Sequence, residues 1–514
     1  MQDATDFLAS PTLVLQSRSA DGRNQSLFLE PFAMARRNTP SQARSVHRYA
    51  FSVASLHNTT KTASNQTSTY PLAARQPMAG QFSFISVSTL MSIHGQHLSA
   101  IDGGFLQFGS NNYDDPSALL SGTDVKCIIV SPGYRLGIFG FLASKGISED
   151  SNFGFWDLRL ALEWTYDNIA HFGGNPHNIT VGGLSAGAYA TFHQLAYDIS
   201  ARASRQIIRR VFQWSNGCGV QPKDILEVQQ QYEDLLHVLE IPQCWKASEK
   251  AQALRTKSTN ELIDAVGKMP QKFFRPISDG CFLSKDLFDD IHTGAFGNRM
   301  KELGIQTVIG DLTQEYHVYK NVYPPQSYEE LIERLSWDYP RDVALAICKP
   351  YKLPPADAST MMVDWEDIFG KLYADMQIHS TLRGFVKSIS KTLPLSYIHR
   401  YRIDWRTESV EKRLPKEVGA THGTDLSIWL FGNGDALTGS EKILIKEFLR
   451  PIASFIRGEE VRWGTNTLSQ VRRLTREGKI EISEDEVWDA KLPLWETATE
   501  VDTHRRSFAP ALKL

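Results

Sequence analysis

The sequence contains no long apolar run. Nowhere in its 514 residues does it approach the ~18 consecutive apolar residues that a helix needs to cross a bilayer. It also lacks an excess of charge of either sign, since 55 Lys and Arg balance 58 Asp and Glu. We therefore expect no membrane span and no nucleic acid partner. The hydrophobic share of 42% is enough for one large core.

Cysteine is scarce and unclustered, and no C-x-x-C pair occurs. An odd number of cysteines leaves at least one thiol unpaired, and no cysteine spacing suggests a metal site. Metal binding by cysteine is therefore not expected. The five cysteines are Cys127, which we expect in the core, and Cys218, Cys244, Cys281 and Cys348.

A secretory leader is not evident at the N-terminus. Asp3 and Asp6 precede any Lys or Arg, and Pro11 interrupts the short apolar stretch 7–15. A secretory signal needs a basic start and an unbroken apolar segment. The pattern favours a cytoplasmic location over secretion and leaves the compartment open.

The composition changes near residue 80. Residues 37–79 are rich in Ser, Thr, Asn, Gln and Pro and show little periodicity, so 1–80 is predicted to be irregular or poorly ordered. From there on, apolar runs of strand length alternate with helical periodicity. We predict a single α/β domain over 81–514, with helical insertions around 221–300 and 325–390.

Three consecutive segments indicate how this domain is built. The run at 125–131 (VKCIIVS) predicts a buried strand, residues 157–169 have helical spacing, and 178–182 (NITVG) predicts the next strand. Strand, helix and strand in this order predict right-handed parallel crossovers. The fold class is therefore α/β, with a mostly parallel central sheet and helices on both faces.

The segment Gly183-Leu184-Ser185-Ala186-Gly187 fits the pattern G-x-S-x-G between a predicted strand and a predicted helix. On such a tight turn a serine hydroxyl is raised into a cleft, and the amide N–H of the next residue faces a developing oxyanion. Glycine and serine are common, so the pentapeptide alone is weak evidence. Its context makes Ser185 the candidate nucleophile and Ala186 a candidate oxyanion donor.

Residues 152–187 (NFGFWDLRLALEWTYDNIAHFGGNPHNITVGGLSAG) closely resemble the type-B carboxylesterase/cholinesterase family. The shared features are an N-x-G-x-x-D block, an A-L-x-W-x-x-x-N-I helix, F-G-G-x-P and the serine turn. The resemblance extends from about residue 84 to 455. It implies the α/β-hydrolase fold with a helical cap, and a serine esterase activity.

The resemblance also implies the other two members of a catalytic triad. Residues 308–315 resemble the family segment that carries the triad acid, which here is Glu315; Asp311 is a competing carboxylate at a different offset. Residues 419–426 resemble the family's base loop and make His422 the general base. Asp425 is expected to shape this loop, and His171 and His193 are expected to be structural.

One departure from the family concerns the oxyanion hole. The family has H-G-G-G-F, whereas this chain has His94-Gly95, then the insertion 96–102, then Gly103-Gly104-Phe105. We predict Gly103 and Gly104 as oxyanion donors beside Ala186, and a weakened activity. The insertion either bulges into solvent or tilts the glycines away. The family's early cysteine-containing segment is also absent, and an incorrect gene model would account for both departures.

The expected activity is hydrolysis of neutral, fairly apolar small-molecule esters through an acyl-enzyme, with no cofactor and no metal. In cholinesterases a glutamate precedes the nucleophile, whereas here Leu184 does, so a choline site has no support. Phe105, Phe108, Trp214 and Trp429 are either pocket or core residues. The alternative function is a catalytically weak or inactive cholinesterase-like binding module. A third hypothesis is a folding-impaired product of a misread gene.

Overall fold

Parallel strands form the centre of the computed structural model of this protein. It describes residues 104–107, 114–145, 151–351, 353 and 364–506, and the backbone of 13–18, 24–32, 50–55, 82–86 and 507–508. The strands are β1 (Leu13–Arg18), β2 (Asn24–Phe32), β3 (Ala50–Ser55), β4 (Phe82–Ser86), β5 (Cys127–Pro132), β6 (Ile179–Leu184), β7 (Ile208–Trp214), β8 (Gln306–Leu312), β9 (Ile398–Ile403), β10 (Gln470–Leu474) and β11 (Ile480–Glu484).

The described strands join in one sheet, in the order β11-β10-β9-β8-β7-β6-β4-β5-β1-β2-β3. Pairing is parallel from β10 through to β5. It is antiparallel at both margins, between β11 and β10 and from β5 through β1 and β2 to β3. The chain therefore has the mostly parallel sheet that the strand–helix–strand order predicted.

Helices flank this sheet. In the described residues they are α1 (Ser117–Gly122), α2 (Gly137–Phe141), α3 (Phe153–Asn168), α4 (Ala186–Asp198), α5 (Gln229–Val238), α6 (Ala247–Thr256), α7 (Thr259–Lys268), α8 (Leu287–Thr293), α9 (Ala295–Glu302), α10 (Tyr316–Tyr319), α11 (Tyr328–Ser336), α12 (Arg341–Cys348), α13 (Trp365–Ala374), α14 (Ser380–Ile389), α15 (Glu408–Glu411), α16 (Leu426–Trp429), α17 (Gly439–Arg457) and α18 (Trp488–Phe508).

The alternation of side chains along the strands creates two separate cores. In β7, Val211 packs into one cluster with residues of α3 and α4, whereas the next residue, Phe212, packs into another cluster with α17. Successive side chains of a strand point to opposite faces, so a strand buried on both faces needs an apolar residue at nearly every position. Strand β6 is such a strand, because it is buried along its whole length.

The predicted elements can be compared with those observed. The helix predicted at 157–169 is α3, and the strand predicted at 178–182 is β6, each shifted by a few residues. Helices α5–α8 lie within 221–300 and α9 ends two residues beyond it, whereas α11–α14 lie within 325–390. Of residues 1–80, the structure describes only the backbone of β1, β2 and β3, so the predicted irregular region and the domain boundary stay predictions.

Candidate active site

Ser185 lies on a tight turn between β6 and α4. Its backbone has φ 58° and ψ −123°, a strained conformation for a residue with a side chain. The turn is held by the Ser185 N–H, which donates to the carbonyl of Trp214 at the end of β7 over 2.9 Å. The glycines permit this close packing: at Gly182, a Cβ atom would lie 2.6 Å from the Cβ of Phe212. The side chain of Ser185 is half-buried and lines a cleft.

His422 and Glu315 form a buried pair. The Nδ1 atom of His422 lies 2.7 Å from Oε2 of Glu315. The other carboxylate oxygen, Oε1, accepts a hydrogen bond from the backbone N–H of Leu312 over 2.8 Å. Because both side chains are buried, the ring has little freedom to turn away. The Nε2 atom of His422 has no hydrogen-bond partner among the described residues.

The candidate nucleophile, acid and base all follow strands of the parallel sheet. Ser185 comes directly after β6, Glu315 comes three residues after β8, and His422 lies in the loop that follows β9. Carboxyl ends of parallel strands meet at one edge of the sheet, where α/β proteins usually bind ligands. Tyr319 is close to both His422 and Ser185. Its ring centroid lies 5.5 Å from that of His422, and it lines the cleft beside Ser185.

Two of the three predicted oxyanion donors lie in described residues. Ala186 is the first residue of α4, where amide groups have no partner within the helix. Gly104 begins the short helical turn Gly104–Leu106, and its carbonyl accepts from the N–H of Gln107. The side chain of Gln107 in turn donates to the carbonyl of Phe274 over 2.7 Å, which ties the turn to the helical insertion. Gly103 and the insertion 96–102 lie outside the described residues.

The cleft beside Ser185 has one aromatic and one polar part. It spans about 670 Å³ between its walls, its open mouth included. Phe105 and Tyr319 form an edge-to-face pair with ring centroids 5.8 Å apart. Lys223, Arg275 and Asp338 also line it. No motif in the sequence pointed to these charged residues, since they come from three separate segments of the helical insertions.

The competing carboxylate, Asp311, belongs to a different buried network. It contacts Nδ1 of His379 and the guanidinium of Arg383, each over 2.7 Å. Arg383 continues to Asp485, which also pairs with Arg400 and Arg402. Burial alone would raise the pKa of Asp311, but Arg383 and Arg402 hold it well below its usual value. Asp311 is thus not the partner of His422.

Asp425 places a second carboxyl group close to the buried pair. Its Oδ2 atom accepts from Nε1 of Trp429 over 2.7 Å, whereas Oδ1 has no partner among the described residues. Burial, and then the nearby carboxylate of Glu315, raise the pKa of Asp425 from 3.8 to about 7. The bond to Trp429 fits the loop-shaping role that the sequence suggested.

We expect Asp425→Asn to stabilise the protein increasingly as pH rises. Asp425 keeps its proton in the folded state up to about pH 7, whereas in the unfolded chain it ionises near pH 4. Its contribution to stability is therefore complete below pH 4 and is lost as pH rises through 7. Because one pKa unit is about 1.4 kcal/mol, the loss reaches roughly 4 kcal/mol, and asparagine avoids it while keeping an acceptor for Trp429.

Melting temperatures at pH 5 and pH 8 test this expectation. The difference between Asp425→Asn and the wild type should grow towards pH 8. Asp435→Asn is a control: the hydrogen bond from Arg413 lowers the pKa of Asp435, so this carboxylate is ionised at both pH values and the effect of its substitution should be about the same at pH 5 and pH 8. An Asp425→Asn difference that is the same at both pH values would contradict an elevated pKa.

Several other residues singled out in the sequence lie in the core. Trp214 and Trp429 stack on each other with ring centroids 4.7 Å apart and are buried away from the cleft lining. His193 packs against Phe155 and Tyr189, and burial lowers its pKa to about 3. It is therefore neutral at physiological pH, as a structural histidine would be. Phe108 lies outside the described residues.

The cysteines and possible metal ligands were also located. Of the five cysteines, Cys218 and Cys348 are buried, Cys127 is half-buried in β5, and Cys244 and Cys281 are exposed. Over the part of the chain that the structure describes, no group of three or more His, Cys, Asp or Glu side chains is arranged to hold a metal ion. Within the same residues, no helix combines the length and apolarity needed to cross a bilayer.

Comparison with known proteins gives a consistent result. The model of the carboxylesterase family matches residues 98–487. An uncharacterized esterase/lipase of Schizosaccharomyces pombe is 36% identical over 412 residues, which cover 78% of this chain and 76% of the relative. A carboxylic ester hydrolase of Gibberella moniliformis is 38% identical over 411 residues, covering 77% and 75%.

Among solved structures, the crystal structure of EstA from Aspergillus niger superposes with a TM-score of 0.64. The match covers 83% of this chain and 81% of EstA, at 19% sequence identity. At this identity the likeness is one of fold. The mostly parallel sheet flanked by helices is the α/β-hydrolase fold.

Proposed function

We propose that Ser185 is the nucleophile of this chain, which belongs to the carboxylesterase family and is a carboxylic ester hydrolase. His422 is the general base, and Glu315 orients it. The observation that carries the proposal is the buried His422–Glu315 pair, whose remaining ring nitrogen has no partner among the described residues. A histidine fixed in this way can accept a proton from a serine hydroxyl.

The reaction would proceed in two halves. His422 Nε2 takes the proton of Ser185 while Oγ bonds to the ester carbonyl carbon, and the protonated imidazole then gives that proton to the departing alkoxide. Water, deprotonated by the same nitrogen, attacks the acyl-enzyme and releases the acid. Glu315 holds the proton on Nδ1, so that Nε2 is the basic atom. The amide N–H groups of Ala186, Gly104 and Gly103 would stabilise the oxyanion.

We propose an ester with an apolar group next to the scissile carbonyl. Support comes from Leu184, which replaces the glutamate of cholinesterases, and from the aromatic part of the cleft at Phe105 and Tyr319. Aromatic walls favour apolar acyl or alcohol groups because these leave water on binding. Non-catalytic members of the family usually lack a triad residue, whereas all three candidates are present here, so the non-catalytic alternative is not favoured.

Covalent labelling tests the mechanism on the wild-type protein. A fluorophosphonate should label one serine stoichiometrically, and peptide mass spectrometry should locate the label in residues 183–187. Labelling should abolish turnover of p-nitrophenyl butyrate in step with occupancy, because one residue performs both reactions. A folded protein that reacts with neither reagent, or a label at another serine, would contradict the proposal.

A further inference from the structure

The polar part of the cleft beside Ser185 contains buried cations that the esterase chemistry does not use. Lys223 and Arg275 both line the cleft, and so does Asp338, which forms an ion pair with Arg275. Lys223 is only 9% exposed. Burying a charge is costly unless it is paired, so each of these groups calls for an explanation.

Lys223 is the least compensated of these groups. Its ammonium group donates to the backbone carbonyl of Ser336, and no carboxylate lies within ion-pair distance of it among the described residues. An ammonium group carries three N–H donors, so one carbonyl leaves donors available to a ligand. Burial lowers the pKa of Lys223, while Asp338 and Glu227 oppose that effect. Glu227 itself pairs with Arg505 over 2.9 Å.

The carboxylate of Asp338 is already shared by two guanidinium groups. Arg275 and Arg334 both form ion pairs with it, and Tyr373 donates a further hydrogen bond over 2.7 Å. Lys223 lines the same cleft without an ion pair of its own in the described part of the chain, so the cleft lining holds two cations, Lys223 and Arg275, and one carboxylate. Arg275 also donates to the carbonyl of Phe105, so it fastens the turn that begins at Gly104. The balance of charge leaves this side of the cleft positive.

We propose that this cleft selects esters that carry a carboxylate at the end remote from the scissile bond, with Lys223 as the specificity-determining residue. The inference rests on the proposed function, since it assigns the cleft to the ester substrate. The apolar middle of such a molecule would lie against Phe105 and Tyr319, and its anionic end would accept hydrogen bonds from Lys223. This proposal differs from the sequence-based expectation of a neutral ester.

Two matched substrate pairs test the selectivity. Monomethyl adipate and methyl hexanoate differ only in a carboxylate or methyl at the end of the acyl chain. The anion 4-acetoxybutanoate and the neutral ester butyl acetate differ in the same way, at the end of the alcohol chain. In at least one pair we expect kcat/KM to favour the anion about tenfold or more, because a charge-assisted hydrogen bond in a dehydrated site is worth at least that factor. The preferred pair identifies the side that the cleft holds.

Variants then assign the preference to one residue. Lys223→Met should reduce the ratio of anionic to neutral kcat/KM about tenfold. Lys223→Arg, which keeps the charge, should retain most of it. Lys301→Met serves as a matched control, because Lys301 is an exposed lysine of α9 that does not line the cleft, and its ratio should equal that of the wild type.

The outcomes separate this proposal from the one on which it rests. If wild-type protein is labelled at Ser185 but cleaves the neutral member of both pairs at least as efficiently, the anion site is wrong and the esterase mechanism stands. The same holds if the ratio survives in folded Lys223→Met. If the folded protein neither labels nor turns over any of the esters, both proposals fail. The wild-type ratio needs no variant, so poor folding of Lys223→Met leaves the inference testable.

Discussion

Replacing Ser185 with alanine is expected to lower kcat for p-nitrophenyl butyrate by roughly 10⁵- to 10⁶-fold, the cost of removing the nucleophile of a serine triad. Without Oγ no acyl-enzyme forms, and Nε2 of His422 has no serine hydroxyl to deprotonate. A residual rate above that of water should remain, because the oxyanion donors and the cleft still bind the ester. Fluorophosphonate labelling should disappear.

The variant must be shown to fold before its activity is interpreted. Alanine has the same backbone requirements as serine at φ 58°, so we expect a melting temperature within a few degrees of wild type. Ser121→Ala, at an exposed position of α1, is a matched control that should keep full activity. A folded Ser185→Ala protein that hydrolyses p-nitrophenyl butyrate at a tenth or more of the wild-type rate would show that another group is the nucleophile.

Glu315→Gln is expected to lower kcat by about 10⁴-fold, the cost observed when a triad acid becomes an amide. The N–H of Leu312 donates to Oε1 of Glu315, so the glutamine oxygen will occupy that position. Its amide NH₂ then faces Nδ1 of His422, which must become an acceptor. The ring proton moves to Nε2, the atom that should receive the proton of Ser185.

The substitution changes the position of one proton and little volume. We therefore expect the folded structure to persist, and the loss to appear in both turnover and the rate of fluorophosphonate labelling. Glu329→Gln, at an exposed position of α11, should leave both rates unchanged. Asp311→Asn would instead disturb the network of His379 and Arg383. Turnover that is lost only in folded Asp311→Asn, and not in Glu315→Gln, would reassign the acid.

Local chemistry made the turn at Ser185 predictable. A buried strand, a glycine-rich turn and a helix follow each other within a short stretch, and their periodicities change from one to the next. These features depend on neighbours in sequence, so they can be inferred without coordinates.

The choice between Asp311 and Glu315 needed the tertiary structure as well as the motif. Both carboxylates are buried and both contact a histidine at 2.7 Å, so composition and burial do not distinguish them. Their partners come from different parts of the chain: His379 from the helical insertion and His422 from the loop after β9. Only the packing of those segments pairs each acid with its histidine.

The sequence by itself determined the alternation of strands and helices, the serine turn and the membership of a family, because each is carried by a contiguous pattern. Only the tertiary structure decided the character of the cleft. Lys223, Arg275 and Asp338 come from distant segments that have no common periodicity or motif. Their charges interact because folding brings the insertions together over Ser185, and the energy of that arrangement depends on distance and burial, which a linear pattern does not contain.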